Sequence, residues 1–440
     1  MDMKRRMNMK GINLNKIAPG KIIALGFMMV ILVGAILLWL PISANEGVEV
    51  SFLDALFTAT SAVCVTGLAT VDPGDTFNVF GRTVLALLIQ TGGLGVTCIG
   101  VGIIWLTGKR VGLKQRTLVR EALNLNSFKG VVKLVRAILL MTLSFELIGA
   151  ILSFMVFREQ YETWDAIGIS IFHAVSSFNN AGFDILGGFK NLLDYQSNVL
   201  LNLTTCGLII CGGLGFLVHI DVIKNRSFKK LTFHSKVVLT MTISLLTIGT
   251  LLIRWTEDVP WLVAFFNSTS ARTAGFSTYP IGNFTEAGLL VMIVLMFIGA
   301  SPGSTGGGIK TTTLFVLIQS IKSTATNQHC QAFKRSIPLE AIMKAFMITL
   351  LSLTVVIMGT LAICIFEPYN TFAQNIFEVV SAFGTVGLST GITPELVSPS
   401  KIVLIIIMYI GRVGPLTVAS LWFTKEKSSL KYSEGLITIG

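Results

Sequence analysis

The chain has 440 residues, of which 52% are hydrophobic and 13% charged, and its mean hydropathy is +0.75. A soluble globular protein of this size needs far more polar surface, so the composition excludes that class and makes the bilayer the natural solvent. The formal net charge of +11 invites a nucleic-acid reading, but five segments (1–21, 108–136, 224–236, 310–344 and 425–440) hold 27 of the 34 Lys and Arg and few of the 23 acidic residues. That clustering reads as topology and excludes a nucleic-acid face.

In chain order, eight apolar stretches lie near 22–40, 83–107, 134–157, 198–222, 237–254, 287–321, 342–366 and 402–424. Each is about 20 residues or longer, enough for a helix to cross roughly 30 Å of hydrocarbon. The sixth is overlong and interrupted. Basic segments alternate with acidic ones along the chain, as the positive-inside rule expects, so both termini are expected to be cytoplasmic. The basic start precedes an apolar run too long for a signal-peptide core and is expected to be a retained first span. Cys64, Cys98, Cys206, Cys211, Cys330 and Cys364 lie mostly in apolar stretches without metal-type pairing, and they read as small apolar fillers. The polar stretches 108–133 and 322–340 are too short for a catalytic fold, and no ATPase motif or catalytic dyad is visible. An enzyme is not expected.

Between each odd span and the next even one lies a segment that is neither a span nor an ordinary loop. These segments share a register on one glycine: Phe57, Phe172, Phe265 and Phe377 stand ten residues before Gly67, Gly182, Gly275 and Gly387. Ser61, Ser176, Thr269 and Ser381 stand six before, and Leu68, Phe183, Phe276 and Leu388 follow directly. Four coincidences at several offsets make an internal repeat. The unit reads span, short helix, glycine-containing stretch, span. It predicts an all-α membrane protein of four tandem units, with eight transmembrane helices and four re-entrant pore helices. The expected units are 22–107, 133–223, 237–321 and 342–424, joined by cytoplasmic linkers 108–132, 224–236 and 322–341, with cytoplasmic termini 1–21 and 425–440. Ser51 with Asp54, Thr163 with Asp165, and Thr371 are expected to open the first, second and fourth short helices; the third has no clear cap.

Re-entrant backbone at membrane depth must be buried in protein or line a water-filled path, because unpaired groups facing lipid are costly. Rings of backbone carbonyls replace the hydration shell of an ion in K⁺ filters, and glycine lets such a backbone face the ion. The candidate filter is therefore Val65-Thr66-Gly67, Asn180-Ala181-Gly182, Thr273-Ala274-Gly275 and Thr385-Val386-Gly387, with K⁺ held by main chain. The short helices aim their partly negative C-termini at the same place. Acidic residues near the outer mouths, such as Asp72 and Asp75, would concentrate cations there.

These repeated segments resemble the membrane subunit of the Trk/Ktr/HKT cation transporter superfamily, and they look most like bacterial Ktr-type K⁺ uptake subunits. The resemblance spans nearly the whole chain. It implies four pseudo-symmetric units around one pore, with one glycine per unit in a K⁺ filter. A serine at the first of these positions accompanies Na⁺ selectivity in some plant relatives, and this chain has Gly67 there. It further implies a homodimer on a cytosolic ring of nucleotide-binding regulatory subunits, and uptake that depends on Na⁺ as an activator.

The interrupted sixth span reads Gly299-Ala300-Ser301-Pro302-Gly303-Ser304-Thr305-Gly306-Gly307-Gly308. So many helix breakers cannot stay helical. The resemblance assigns this position to an intramembrane gating loop. A phosphate loop is excluded, since Ile309 intervenes before Lys310 and no strand precedes it. Gly92-Gly93-Leu94-Gly95 and Gly212-Gly213-Leu214-Gly215 read as close-packing or hinge glycines. Arg412 lies near the middle of the last span, where a charge faces a cavity or a partner; the resemblance has it touch the glycine-rich loop and place a positive barrier below the filter. Arg272 is a candidate partner for Glu378 or Glu146. His173 is expected to hydrogen-bond locally, and Asn179 and Asn180 to brace the filter through their amides. The basic loops admit a second reading, as a docking surface for a regulatory ring. Two other functions stay open: a Na⁺-conducting or poorly selective relative, and a coupled secondary transporter. All four units start inside, which argues against the inverted repeats of the latter.

Overall fold

The computed structural model describes residues 19–108, 111–123 and 130–422. Residues 1–18 and 423–440, and two short parts of the first linker (109–110 and 124–129), lie outside the described residues, and with them most of both expected cytoplasmic termini. The described chain is mostly helical. The first unit comprises α1 (Pro19–Trp39), α2 (Phe52–Cys64), the short α3 (Pro73–Thr76), α4 (Val79–Leu94) and α5 (Val96–Leu106), and α6 (Leu113–Ala122) follows. The second comprises α7 (Val131–Phe157), α8 (Thr163–Phe178), α9 (Val199–Leu214) and α10 (Phe216–Asn225). The third comprises α11 (Phe233–Thr256), α12 (Trp261–Ser270), α13 (Glu286–Phe297) and α14 (Thr311–Ala325). A two-residue hairpin, β1 (Gln331–Ala332) with β2 (Arg335–Ser336), precedes the fourth. That unit holds α15 (Leu339–Phe366), α16 (Phe372–Gly384), α17 (Ser398–Val413) and α18 (Pro415–Trp422).

The opening helix of each unit is long and apolar enough to cross a membrane, so α1, α7, α11 and α15 make four; counting the bent pairs α4–α5 and α9–α10 raises the number to six. Their apolar side chains point outward as well as inward. On α7, Leu140, Leu143, Leu147 and Ile151 are all more than half exposed and recur at helical spacing, which is the face a lipid-solvated helix presents. The interior lies around the short helices, where Phe57, Phe266, Phe276, Phe377 and Phe383 are wholly buried in one cluster.

The sixth apolar stretch is not the only broken one, and at Gly95 and Gly215 the hinge reading of the glycine runs is the one that applies. α4 and α5 meet at 103° across Gly95, and α9 and α10 at 95° across Gly215. α17 gives way to α18 at Gly414. These three glycines have φ of 83°, 94° and 94°, a left-handed setting in which a right-handed helix cannot continue.

The caps divide similarly. The Asp54 amide donates to Ser51 Oγ at 3.1 Å, and Thr371 forms a reciprocal capping box with Gln374, both as expected. α8 corrects the expectation: its cap position is Glu162 without a side-chain cap bond, and Thr163 is already helical. α12 follows Pro260 with no side-chain cap. Lys401 at the start of α17 pairs with Asp54 of α2 at 2.8 Å, joining the fourth unit to the first.

Candidate functional site

The four short helices α2, α8, α12 and α16 each lead into one of the glycine-containing stretches, directly for α2 and α16 and after one or two residues for α8 and α12. In every stretch the first and third residues are left-handed: Val65 and Gly67, Asn180 and Gly182, Thr273 and Gly275, Thr385 and Gly387. The middle residues Thr66, Ala181, Ala274 and Val386 are absent from that region. Alternating the hand turns successive peptide planes so that their carbonyls fall on one side, where an ordinary strand would alternate them. Val65, Thr273 and Thr385 are β-branched, and a positive φ there costs on the order of 1–3 kcal/mol. The same strain in four copies marks a shared requirement.

The stretches also close into a ring. A Cβ placed on Gly67 would lie 2.5 Å from the Ala181 carbonyl oxygen, and one on Gly182 would lie 2.7 Å from that of Ala274. On Gly275 it would meet the Val386 oxygen, and on Gly387 the Thr66 oxygen, closer still. Each unit's glycine thus faces the middle carbonyl of the next, in the order first, second, third, fourth and back to first. All four glycines line one cavity of about 420 Å³, which Asp72, Asp184 and Lys190 also line.

The serine six residues before the glycine has a visible purpose in two units. Ser61 Oγ accepts from the Gly67 amide at 3.0 Å, and Ser381 Oγ from the Gly387 amide at 3.1 Å. In the third unit the pattern shifts by one residue: Ser270 Oγ, not Thr269, reaches the stretch and donates to the Phe276 carbonyl at 2.5 Å. Ser176 Oγ has no partner among the described residues. Behind the fourth stretch the buried Glu378 accepts from Ser389 Oγ (2.5 Å), the Thr390 amide (3.0 Å) and Thr393 Oγ1 (2.8 Å).

Residues Gly299 to Gly308 are non-helical between α13 and α14. Ile298 and Ile309 pair side by side, so the segment folds back on itself as a loop. Backbone bonds tie it to the bend of the second unit: the Ser301 and Thr305 amides donate to Gly213 and Gly212, and the Phe216 amide donates to Gly303. Arg412 donates to the carbonyls of Thr305 in the loop and of Gly92 and Gly93 at the end of α4. The loop is therefore held by the first, second and fourth units at once. Ser304 Oγ closes onto the Ser301 carbonyl at 2.6 Å, and Ser301 Oγ meets Thr311 Oγ1 at 3.0 Å. Ala300 is fully buried, and the Pro302 carbonyl lies against Gly215.

Sequence reasoning counted Lys310 among topology charges and weighed it only against a phosphate loop. Its Nζ donates to the Gly306 and Gly307 carbonyls at 2.7 and 3.4 Å, so the loop presents oxygens to a cation, the reverse of a phosphate cradle. Its position two residues past three consecutive glycines was the available signal. A second missed group is Gln90, whose Oε1 accepts from Asn179 Nδ2 at 2.7 Å beside Glu146 Oε1 at 3.1 Å. Arg272 forms an ion pair with neither Glu378 nor Glu146 among the described residues, and its Nε is buried without a partner. His173 hydrogen-bonds to Thr205 Oγ1 of α9 at 2.9 Å, and all six cysteines are free.

A family model described as a cation transport protein, TrkH, matches residues 19–256 and 236–433. The Ktr system potassium uptake protein B of Bacillus subtilis is 41% identical over 97% of each chain. The potassium/sodium uptake protein NtpJ of Enterococcus hirae is 39% identical over 100% of this chain and 99% of that one. In three dimensions the chain is similar to the potassium transporter TrkH from Vibrio parahaemolyticus, with a TM-score of 0.71, 17% identity, and coverage of 96% and 87%. Repeated units, glycine ring and full-length likeness agree: this chain is a multi-pass membrane protein of the TrkH cation transport family.

Proposed function

We propose that the chain is the K⁺-translocating membrane subunit of a K⁺ uptake system, with ions moving down their electrochemical gradient through the ring at Gly67, Gly182, Gly275 and Gly387. The observation that carries this reading is that ring: each glycine faces the middle carbonyl of the next unit, and all four open onto one cavity. Backbone oxygens in such an array replace a hydration shell without a carboxylate. The names of the Bacillus and Enterococcus relatives support K⁺ as the ion. In this reading each unit is a span, a re-entrant helix and a second span broken at its middle, giving eight crossings with both termini inside. The loop 299–308 is the gate and Arg412 its positive latch. A homodimer, a cytosolic nucleotide-binding partner ring that docks on the basic loops, and Na⁺ as activator complete the proposal.

The test is Gly67→Ser in a cell lacking its own K⁺ uptake, with Rb⁺ and Na⁺ fluxes measured. The expected outcome is a loss of preference for Rb⁺ over Na⁺, since a side chain enters the ring. Unchanged selectivity and rate would remove the filter assignment. The name of the Enterococcus relative favours a second reading, a transporter that also carries Na⁺. Wild-type Rb⁺ uptake suppressed by excess Na⁺ would select it.

A further inference from the structure

The four units do not anchor their glycine-containing stretches alike. In the first and fourth a serine hydroxyl accepts from the amide of the ring glycine, and in the third Ser270 holds the Phe276 carbonyl. In the second, Ser176 Oγ has no partner among the described residues, although Asn180 opens that stretch at a φ of 58°. Directly before the stretch stands Asn179, which is fully buried. Its Nδ2 donates to Gln90 Oε1 of α4 at 2.7 Å, to the Val175 carbonyl of its own helix at 2.9 Å and to Glu146 Oε1 of α7 at 3.1 Å. A Cβ on Gly93 would collide with Asn179 Oδ1, so bare backbone at the end of α4 closes over the other side of the carboxamide.

This seam occurs once in the fourfold pattern. A Cβ on Gly34, Gly149, Gly249 or Gly359 of the opening helices would strike Leu88, Leu208, Leu295 or Ile407 of the same unit's second span, which sets one register for all four units. Three residues before those glycines stand Ile31, Glu146, Leu246 and Val356, and two after the struck residues stand Gln90, Ile210, Phe297 and Tyr409. Glu146 therefore replaces an aliphatic residue, and Gln90 an aliphatic or aromatic one. Glu146 is 7% exposed and makes no ion pair among the described residues. An ionisable group at that depth is costly and marks a function.

We propose that Glu146 and Gln90 are positioning residues for ion selection, and that they act through Asn179 on the second stretch in place of the serine-to-glycine tie of the first and fourth. Each supplies one acceptor oxygen to Asn179 Nδ2, Glu146 from the second unit and Gln90 from the first. Between them the Asn179 side chain is pinned at the seam of α4 and α7, and the peptide leading into Asn180 is held in one orientation. The four stretches thus keep one backbone although their supports differ. The role asked of Glu146 is that of an acceptor, which a neutral amide also fills. The inference rests on the reading that the ring selects K⁺.

The experiment uses the full chain in proteoliposomes, with the Rb⁺-to-Na⁺ influx ratio measured and Tm recorded on the same preparations. Glu146→Leu removes the acceptor, and the ratio should fall about fivefold, the equilibrium factor that one hydrogen bond carries. Gln90→Leu should lower it to a similar extent. Glu146→Gln keeps an acceptor oxygen and should hold the ratio near wild type. Asn179→Leu should lower the ratio at least as far as either partner variant, and adding Glu146→Leu to it should change nothing further. A wild-type ratio in Glu146→Leu, whether or not Tm drops, would leave the carboxyl a purely structural group and overturn the proposal. A Glu146→Gln ratio as low as that of Glu146→Leu, or additive effects in the double variant, would overturn it too. If a leucine at 146 or 179 yields no folded protein, Gln90→Leu decides alone. Gly67→Ser measured alongside separates the two failures: if it loses Rb⁺ preference while Glu146→Leu stays wild type, only the positioning role falls. If Gly67→Ser keeps its preference, the filter reading falls first.

Discussion

The glycine ring and the loop beneath it are neighbours built on opposite plans. In the ring, four units supply the same alternation of backbone hand and the same glycine-to-carbonyl contact. On the inner side, each unit supplies something different. The first gives the Gly92 and Gly93 carbonyls, the second gives Asn180 and the bend at Gly212–Gly215, the third gives the loop, and the fourth gives Arg412. The difference teaches where repetition serves and where it does not. A ring closed by four equivalent contacts requires that all copies keep one backbone. A single loop seated against the ring needs one copy to diverge and the others to hold it.

The comparison can be broken most severely at the ring. Gly387→Ala places a methyl against the Thr66 carbonyl at a position already left-handed, so K⁺ uptake should fall well below wild type; full uptake in a deficient cell would mean that the ring tolerates a side chain. The next largest effect lies on the inner side. Arg412→Gln removes charged hydrogen bonds to three loop and bend carbonyls. At about 1.5–3 kcal/mol for a hydrogen bond to a charged group, Rb⁺ influx should rise roughly tenfold or more. An unchanged rate would show that the loop is not held by this contact.

Two smaller tests ask whether the fourth unit's supports serve stability or selectivity. Glu378→Gln replaces an acceptor for four donors with a group that accepts less well, and should lower stability by about 1–3 kcal/mol, read as a drop in Tm of the detergent-solubilised protein. Selectivity should shift less than in any glycine variant, and a larger shift would move Glu378 into the filter itself. Lys401→Met removes the tie between α17 and α2. It should cost about 1 kcal/mol with transport unchanged, and a transport defect would show that this tie sets the ring.

Much of this was legible from one chain. The shared register located the ring, because its glycine-to-carbonyl contacts need glycine at one place in each copy, with a serine bonded to that glycine's amide in two of them. Breakers in Gly299–Gly308 located the loop. What hid was the size of a bend carried by local backbone. The glycine runs ending at Gly95 and Gly215 could be read as packing or as hinges, and only the path of the chain shows near-right-angle bends there. The third unit's shift from Thr269 to Ser270 was invisible because either hydroxyl fits the pattern, and only the path of the chain decides which one reaches the stretch. Lys310 hid in a basic segment whose other members mark topology. Arg272 was paired on charge alone, and charge gives no distance.

The measurement that bears most directly on the central claim is the Rb⁺-to-Na⁺ flux ratio with serine placed at Gly67, Gly182, Gly275 and Gly387 in turn. The account predicts that the ratio falls sharply at all four positions, because the ring is closed by equivalent contacts. A ratio held at the wild-type value at any one of them, in protein that still transports, would contradict a four-part filter.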